Sequence, residues 1–181
     1  MIEVAVYGGA FDPPHAGHAR VMIEASRQAR QVWVVPSFRH ADGKRMADFD
    51  LRLGWLHDVV ASIRPLCAAP VRVSGIEREL AQLQPGPVYS YTLLERLATR
   101  LGIADRQLAL VTGPDVLERL PQFHRGAALL ERFAVITIDE QLDVRSSSLR
   151  QRLQQGLALP QQWLAPGLDP LNYRHYAVHG T

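Results

Sequence analysis

Residues 8–18 read Gly8-Gly9-Ala10-Phe11-Asp12-Pro13-Pro14-His15-Ala16-Gly17-His18, and they follow an apolar run of β-forming residues. The two adjacent glycines let the backbone turn tightly and approach an anion without Cβ atoms in the way. Pro13 and Pro14 stiffen the turn, and the pattern predicts that a helix begins near Ala16 or Gly17. A helix N-terminus offers free N–H groups and a partial positive charge. This strand–turn–helix therefore predicts a phosphate-binding site.

Two histidines stand at the start of the predicted helix. His15 and His18 are three positions apart, so their side chains lie on roughly the same side. We expect two imidazoles and several N–H donors to meet there. Two other interpretations are that the histidines only cap and pack the turn, or that they bind a metal ion. The metal interpretation lacks a third protein ligand at a typical spacing, and the surrounding strand–turn–helix favours a phosphate site over simple capping.

Two common phosphate-binding patterns fit the chain poorly. The dinucleotide fingerprint needs G-x-G-x-x-G and an acidic residue after the second strand. Here Gly8 and Gly9 are adjacent, and the second predicted strand ends in Val35-Pro36-Ser37. The P-loop needs G-x-x-x-x-G-K-[ST], whereas Gly43-Lys44 is followed by Arg45 and lacks the upstream glycine. A nicotinamide-dependent dehydrogenase is therefore disfavoured, and the chain carries no P-loop signature.

Apolar β-rich runs alternate with segments of helical periodicity along the rest of the chain. The predicted strands are 2–7, 32–35, 71–74, 108–112 and 133–138, and the predicted helices are 16–29, 48–63, 91–101, one that ends with 127–132, and 147–155. This alternation predicts an α/β fold, a Rossmann-like parallel sheet with helices on both faces. Such sheets bind ligands outside the carboxyl ends of their strands. We expect one domain over residues 1–181, since there is no internal repeat and the segment 84–87 reads as a loop rather than a linker.

Composition limits the partners of the protein. Of the 181 residues, 47% are hydrophobic and 21% are charged, and the formal net charge is +2. The chain is thus an ordinary globular protein for which we expect no nucleic-acid partner. Cys67 is the only cysteine, which excludes an internal disulfide and a zinc site built mainly from thiolates. Residues 1–7 read as a strand rather than a signal peptide, and no stretch approaches the ~18 apolar residues of a membrane helix. We expect a cytoplasmic protein without a membrane partner. Formation of a homo-oligomer remains possible from the sequence.

Five motifs occur in a familiar order and spacing. They are the segment 8–18, Pro36-Ser37 with Lys44 and then Arg52, Ser90-Tyr91-Thr92, Gly113-Pro114-Asp115, and Val144-Arg145-Ser146-Ser147-Ser148-Leu149-Arg150. The first resembles the G-G-x-F-D-P-x-H-x-G-H signature of the HxGH nucleotidyltransferases, and the last resembles their I-S-S-T-x-I-R motif. The resemblance extends through most of the chain and is strongest to the bacterial nicotinate-nucleotide adenylyltransferases.

The resemblance implies adenylyl transfer. The phosphate of a mononucleotide would attack the α-phosphorus of ATP in line, and pyrophosphate would leave. With nicotinate mononucleotide as acceptor the product is nicotinate adenine dinucleotide, a precursor of NAD. No protein nucleophile is needed, so catalysis would consist of positioning and charge neutralisation. Mg²⁺ is expected as the cofactor that bridges the ATP phosphates, and no acidic cluster is evident that would bind it through protein ligands alone.

The resemblance also implies roles for individual residues. Catalytic roles fall to His15, His18, Lys44 and Arg150, with His18 the main contact to the transition state. The expected ATP site comprises Gly8, Gly9, Ala10, Phe11, His15, His18, Gly113, Asp115, Ser146, Ser147 and Arg150, and the expected acceptor site comprises Lys44, Tyr91, Thr92 and Phe123.

The late motif also has a direct physical interpretation. Ser146 is expected as the N-cap of the last helix, which leaves the Ser147 hydroxyl and nearby N–H groups free for an anion. Arg150 lies about one turn into that helix, where its guanidinium can bind phosphate oxygens with two hydrogen bonds. The alternative is an ordinary capped amphipathic helix with Arg150 in solvent.

Departures from the family pattern concentrate on the acceptor side. Phe123 stands where the family usually has a tryptophan that stacks on the pyridine ring, and a phenylalanine stacks with less area. Residues 137–141 lack the arginine common there, Asp42-Gly43-Lys44 replaces a P-H-K triplet, and Arg145 replaces a serine. Three hypotheses follow: transfer to nicotinate mononucleotide, transfer to nicotinamide mononucleotide or another phosphorylated metabolite, and a non-catalytic nucleotide-binding regulatory protein.

Overall fold

The computed structural model describes residues 1–177. It contains one five-stranded sheet in the order β3-β2-β1-β4-β5, in which every neighbouring pair is parallel. The strands are β1 (Val4–Gly9), β2 (Val32–Pro36), β3 (Val71–Val73), β4 (Leu108–Thr112) and β5 (Ala134–Thr137). The helices are α1 (Ala16–Ala25), α2 (Phe49–Ile63), α3 (Ile76–Leu83), α4 (Ser90–Leu101), α5 (Pro114–Arg119), α6 (Gly126–Arg132) and α7 (Ser146–Gln154), and a 3₁₀ helix spans Pro170–Tyr176.

Both faces of the sheet are buried, as a parallel sheet requires. Along β1, Ala5 belongs to one apolar cluster, whereas Val4 and Val6 belong to the other, which follows the alternation of side chains along a strand. The chain builds the sheet outward from β1, first through β2 and β3 and then, on the other side, through β4 and β5. The order therefore reverses between β1 and β4, and the crevice at such a reversal is where open α/β sheets bind ligands.

The predicted α/β fold with helices on both faces of a parallel sheet is confirmed. All five predicted strands occur, but α1 ends at Ala25 rather than at residue 29. The Ser26 hydroxyl donates to the Ile23 carbonyl at 2.6 Å, and the next residues form tighter i→i−3 bonds, Arg27 N–H to Glu24 O and Gln28 N–H to Ala25 O. Serine competes in this way with the regular helix ladder, so the helix closes early.

Two helices and the 3₁₀ helix have no counterpart among the predicted elements. α3 is eight residues long and α5 only six, and the 3₁₀ helix Pro170–Tyr176 lies near the end of the chain. The six residues of α5 are too few to carry a periodic signal. In α3, by contrast, Ile76, Leu80 and Ala81 are buried on one face, a helical pattern that sequence reasoning missed. Within residues 1–177 no helix has both the length and the apolar character needed to cross a membrane.

Candidate active site

The two histidines cap α1 and hold each other. His15 is the N-cap, and its Nδ1 accepts from the Gly17 N–H at 3.1 Å. The Nδ1 of His18 accepts from the His15 N–H, also at 3.1 Å. The two rings stack with centroids 3.7 Å apart. Because Nδ1 is an acceptor in both rings, the proton of each neutral imidazole is assigned to Nε2. Capping and phosphate binding are thus compatible, since each ring keeps an Nε2–H donor for a ligand.

Burial keeps both imidazoles neutral. It lowers the pKa of His15 from 6.5 to about 4. Burial also lowers the pKa of His18 well below its usual value, with a smaller contribution from the nearby His15. At neutral pH the pair therefore offers two N–H donors rather than two cations.

A cavity of about 210 Å³ lies against the two histidines, and we call it the histidine cavity. It is lined by Tyr7, His15, Gly17, His18, Val21, Glu140, Leu142, Val144, Arg145 and Ser146. The glycine-histidine segment and the start of α7 are far apart in sequence, yet both line this cavity. The fold thus brings together the two motifs from which the ATP site was predicted.

The start of α7 differs in detail from the prediction. The N-cap is Arg145 rather than Ser146, and it makes no side-chain capping bond. The Ser146 hydroxyl instead donates to the Pro13 carbonyl at 2.8 Å, which ties α7 to the turn before α1. Ser147 is exposed at the second position of the helix. Arg150 Nη1 donates to the Asp12 carbonyl at 2.5 Å, and about a third of its side chain stays exposed, which leaves further guanidinium donors for a phosphate.

A second cavity of about 600 Å³ lies at the carboxyl ends of the central strands, and we call it the crevice cavity. Gly8 and Gly9 of β1 and Thr112 of β4 line its inner part. Phe123, which is 41% exposed, and a stacked pair of rings, Tyr89 and His124 with centroids 4.4 Å apart, also line it. Phe123 and the two glycines of β1 therefore line the same cavity.

Tyr91 and Thr92 differ from the expected acceptor contacts. The α4 residues that line the crevice cavity are Ser90 and Leu93. Tyr91 is 2% exposed and lies in the core on that side of the sheet, with the Arg125 guanidinium 3.9 Å from its ring centroid. Helical geometry turns positions 91 and 92 away from the face that carries 90 and 93. Neither residue lines the crevice cavity, and their role in acceptor binding stays a prediction.

Other predicted residues are spread around these cavities. Lys44 lines neither of them but lies in a loop cavity of about 630 Å³ together with Arg39. Asp115 is exposed, with its carboxylate 3.9 Å from the Arg145 guanidinium, and Gly113 is the N-cap of α5.

Ala10 and Phe11 support the site rather than line it. The Ala10 carbonyl accepts from Arg52. Phe11 is 1% exposed, and its ring packs edge-on to His18 with centroids 4.8 Å apart. Phe11 thus packs against the histidine, and its expected contact with ATP stays a prediction.

Sequence reasoning missed Arg52 as a buried support of this site. Its side chain is 1% exposed, and its guanidinium donates to the carbonyls of Ala10 at 2.8 Å, Ser37 at 2.9 Å and Ala47 at 2.9 Å. These bonds join the glycine turn, the end of β2 and the start of α2. The available signal was a charged residue on the apolar face of a helix, where an arginine needs partners.

Glu77 is a second missed residue. It is 5% exposed, lines the crevice cavity, and accepts the Phe38 N–H at 2.9 Å. Burial raises its pKa to about 7, against smaller opposing effects of the Phe38 N–H and of Arg52. The folded protein therefore holds, beside the crevice cavity, a carboxyl whose pKa is raised by burial toward neutral pH.

The Glu77→Gln variant is expected to gain stability over the wild type as the pH rises. The folded pKa of Glu77 lies above its unfolded value of 4.5, so the folded state binds more protons between about pH 5 and 7, and wild-type stability falls as pH rises through that window. Glutamine cannot ionise. The difference in unfolding free energy should shift by about 2 kcal/mol in favour of Glu77→Gln between pH 5 and pH 8, as measured by urea denaturation. Glu79→Gln, on the exposed side of α3, is the matched control and should show no such trend.

Comparisons with known proteins identify similar sequences. The cytidylyltransferase-like family model matches residues 6–152. A probable nicotinate-nucleotide adenylyltransferase of Anaeromyxobacter sp. (strain K) is 33% identical over 143 residues, which cover 77% of this chain and 71% of that protein. Another from Myxococcus xanthus (strain DK1622) is 34% identical over 132 residues, 68% of this chain and 63% of the relative.

Solved structures give the same result at the level of the fold. A putative nicotinate-nucleotide adenylyltransferase from Vibrio parahaemolyticus superposes with a TM-score of 0.72 at 26% identity, covering 97% of this chain and 99% of that one. The Plasmodium falciparum nicotinic acid mononucleotide adenylyltransferase complexed with NaAD also gives a TM-score of 0.72, at 16% identity, covering 97% of this chain and 94% of that chain. At that identity the second likeness concerns the fold alone.

Proposed function

Because this chain belongs to the cytidylyltransferase-like family and is a nucleotidyltransferase similar to nicotinate-nucleotide adenylyltransferases, we propose that it joins ATP and nicotinate mononucleotide. The products are nicotinate adenine dinucleotide and pyrophosphate. The observation that carries the proposal is the meeting of His15 and His18 with the start of α7 at the histidine cavity. Tyr7 lines that cavity, and the next residue, Gly8, lines the crevice cavity of about 600 Å³.

The reaction is an in-line displacement at phosphorus. An oxygen of the acceptor phosphate forms a bond to the α-phosphorus of ATP, and the bond to the bridging oxygen breaks, so that pyrophosphate leaves with the electron pair. His18 donates its Nε2–H to phosphoryl oxygens on which charge develops, and His15 donates to the neighbouring phosphates. Arg150 binds the leaving phosphates with the guanidinium donors that Asp12 does not occupy. Holding the acceptor phosphate in line with the α-phosphorus of ATP would supply the proximity that the reaction needs.

Nucleotidyltransferases of this kind generally use a divalent metal ion. In residues 1–177 no group of three or more His, Cys, Asp or Glu side chains could hold such an ion. We propose that the ion is Mg²⁺ bound together with ATP, where it would neutralise substrate charge. The roles of His15, His18 and Arg150 concern the remaining phosphate oxygens.

The acceptor base is assigned to the crevice cavity, with its ring stacked on Phe123. Phe123→Ala should raise the KM for nicotinate mononucleotide about tenfold, because base–aromatic stacking contributes about 1–3 kcal/mol, and the KM for ATP should stay within twofold. Steady-state kinetics with each substrate varied in turn give both values. Leu83→Ala removes an exposed apolar side chain outside these cavities and should leave both KM values unchanged; an equal rise in both for Phe123→Ala would argue against the stacking role.

Pyrophosphate release with Mg-ATP across a panel of acceptors tests the proposal. The panel contains nicotinate mononucleotide, nicotinamide mononucleotide and other phosphorylated metabolites. The proposal predicts the highest kcat/KM for nicotinate mononucleotide. A preference for another acceptor would leave the transferase chemistry and remove the assigned acceptor, and no release with any acceptor would favour the non-catalytic alternative.

A further inference from the structure

The turn between β1 and α1 is held by side chains from other elements rather than by its own backbone hydrogen bonds. Within the part of the chain that the structure describes, no backbone–backbone hydrogen bond involves residues 10–14. Phe11 has a φ of +48°, a backbone conformation that residues other than glycine rarely adopt. Residues 11–14 are nevertheless buried, and buried carbonyls need hydrogen-bond donors. We call residues 10–14 the anchored turn.

Side chains from distant elements donate to its carbonyls. The donors are Arg52 to Ala10 at 2.8 Å, Arg150 to Asp12 at 2.5 Å, Ser146 to Pro13 at 2.8 Å and Tyr173 to Pro14 at 3.0 Å. They come from α2, from α7 and from the 3₁₀ helix Pro170–Tyr176. The geometry of the turn therefore depends on where these three elements lie.

The 3₁₀ helix contributes two tyrosines. Tyr173 is 2% exposed, and its hydroxyl donates to Pro14 O while accepting the Ala165 N–H at 2.8 Å. Burial raises the pKa of Tyr173 to about 12, so the hydroxyl keeps its proton at neutral pH. The Tyr176 hydroxyl donates to Asp12 Oδ1, which also accepts the Ala47 N–H at 3.1 Å.

The Tyr173 contact lies one residue before the histidine pair, and the Tyr176 contact lies three residues before it. Pro14 precedes His15, whose N–H binds His18 Nδ1 and whose own Nδ1 caps α1. A displacement of the Pro14 peptide therefore moves both Nε2–H donors. Catalytic geometry tolerates little of this, since a misplacement of about 1 Å can cost 100-fold in rate.

We propose that the 3₁₀ helix Pro170–Tyr176, which lies beyond the residues matched by the family model, positions the histidine pair. Tyr173 is the main positioning residue and acts through the Pro14 carbonyl, and Tyr176 acts through the Asp12 carboxylate. The role in catalysis rests on the proposed adenylyl transfer, whereas the placement of the two imidazoles does not depend on it.

The test compares two variants of the full chain that each remove one buried bridging hydroxyl. Tyr173→Phe removes the bridge between Pro14 and Ala165. The matched control Ser26→Ala removes a hydroxyl that donates to Ile23 O and accepts the Ala68 N–H at 3.0 Å, outside the anchored turn. Both should lower the melting temperature by a few degrees, since each loses comparable hydrogen bonds. Only Tyr173→Phe should lower kcat, by about tenfold, with the KM for ATP within twofold.

A substrate-free measurement accompanies the kinetics. In ¹⁵N–¹H spectra of the imidazoles, the Nδ1 resonances of His15 and His18 should move in Tyr173→Phe and stay in place in Ser26→Ala. The spectra test the positioning role even if no acceptor supports turnover. A lack of turnover would contradict the proposed function but not the positioning role. Unmoved imidazole resonances, or kcat equal to that of Ser26→Ala, would overturn the inference. If Tyr173→Phe does not fold, Tyr176→Phe is tested in its place. The side chain of Tyr176 is only half-buried, so this variant should fold, and the same results are expected.

Discussion

Replacing His18 with alanine is expected to lower kcat by more than ~100-fold, because the change removes a donor aimed at the charge that develops in the transition state. The expected loss of kcat follows from the removal of the Nε2–H, because the Nδ1 of this ring already accepts the His15 N–H. The KM for ATP should change much less, since His15, Arg150 and the N–H groups of α1 remain. Turnover is measured by pyrophosphate release at saturating ATP and acceptor.

A control must show that the His18→Ala variant is folded, so that a loss of kcat is not a loss of structure. The variant loses the bond from the His15 N–H, so a drop in stability of about 1 kcal/mol is expected, and circular dichroism with thermal melting detects it. Arg20→Ala, an exposed position on the same helix, is the control and should keep kcat within twofold. Near-normal turnover in His18→Ala would show that the transition-state contact is assigned to the wrong residue.

The largest loss of stability is expected for Arg52→Met. Methionine fills much of the same space but donates no hydrogen bond, so the carbonyls of Ala10, Ser37 and Ala47 are left unpaired. Each buried carbonyl that loses its donor costs about 1–3 kcal/mol, so the three together should cost about 3–5 kcal/mol or more, a large part of the 5–15 kcal/mol typical of a whole domain. Urea denaturation measures the change.

A matched surface variant separates this network from the general effect of losing a positive charge. Arg96 is exposed on α4, so Arg96→Met should change the unfolding free energy by less than about 0.5 kcal/mol. A loss below about 1 kcal/mol in Arg52→Met would mean that water replaces the guanidinium donors, and that Arg52 does not hold the glycine turn in place.

The sheet was predictable because each strand carries its own signal. Val32–Pro36 and Leu108–Thr112 are nearly all apolar, as strands buried on both faces must be. Gly8 and Gly9 likewise marked the turn locally. The apolar spacing of Ile76, Leu80 and Ala81 in α3 is also local, and it was overlooked. By contrast, the 3₁₀ helix Pro170–Tyr176 is held by contacts with residues more than 150 positions away, which no local pattern reports.

The candidate site also has a part that the sequence predicts and a part that only the folded structure shows. His15 and His18 were predictable as neighbours because one helical turn separates them. The partners of Arg52 and Tyr173 were not, because their hydrogen bonds join segments that only the folded chain brings together. Ser146 shows the limit of local rules: its expected capping bond is replaced by a bond to Pro13, which satisfies a buried carbonyl that sequence does not reveal.

Following the α-phosphorus of ATP tests the central claim most directly. The enzyme is incubated with Mg²⁺, nicotinate mononucleotide and ATP labelled with ³²P at the α position, and the products are separated by chromatography. Adenylyl transfer predicts that the label appears in a dinucleotide, in an amount equal to the pyrophosphate released. Label that stays in ATP, or that appears only in AMP or ADP, would contradict the proposed function.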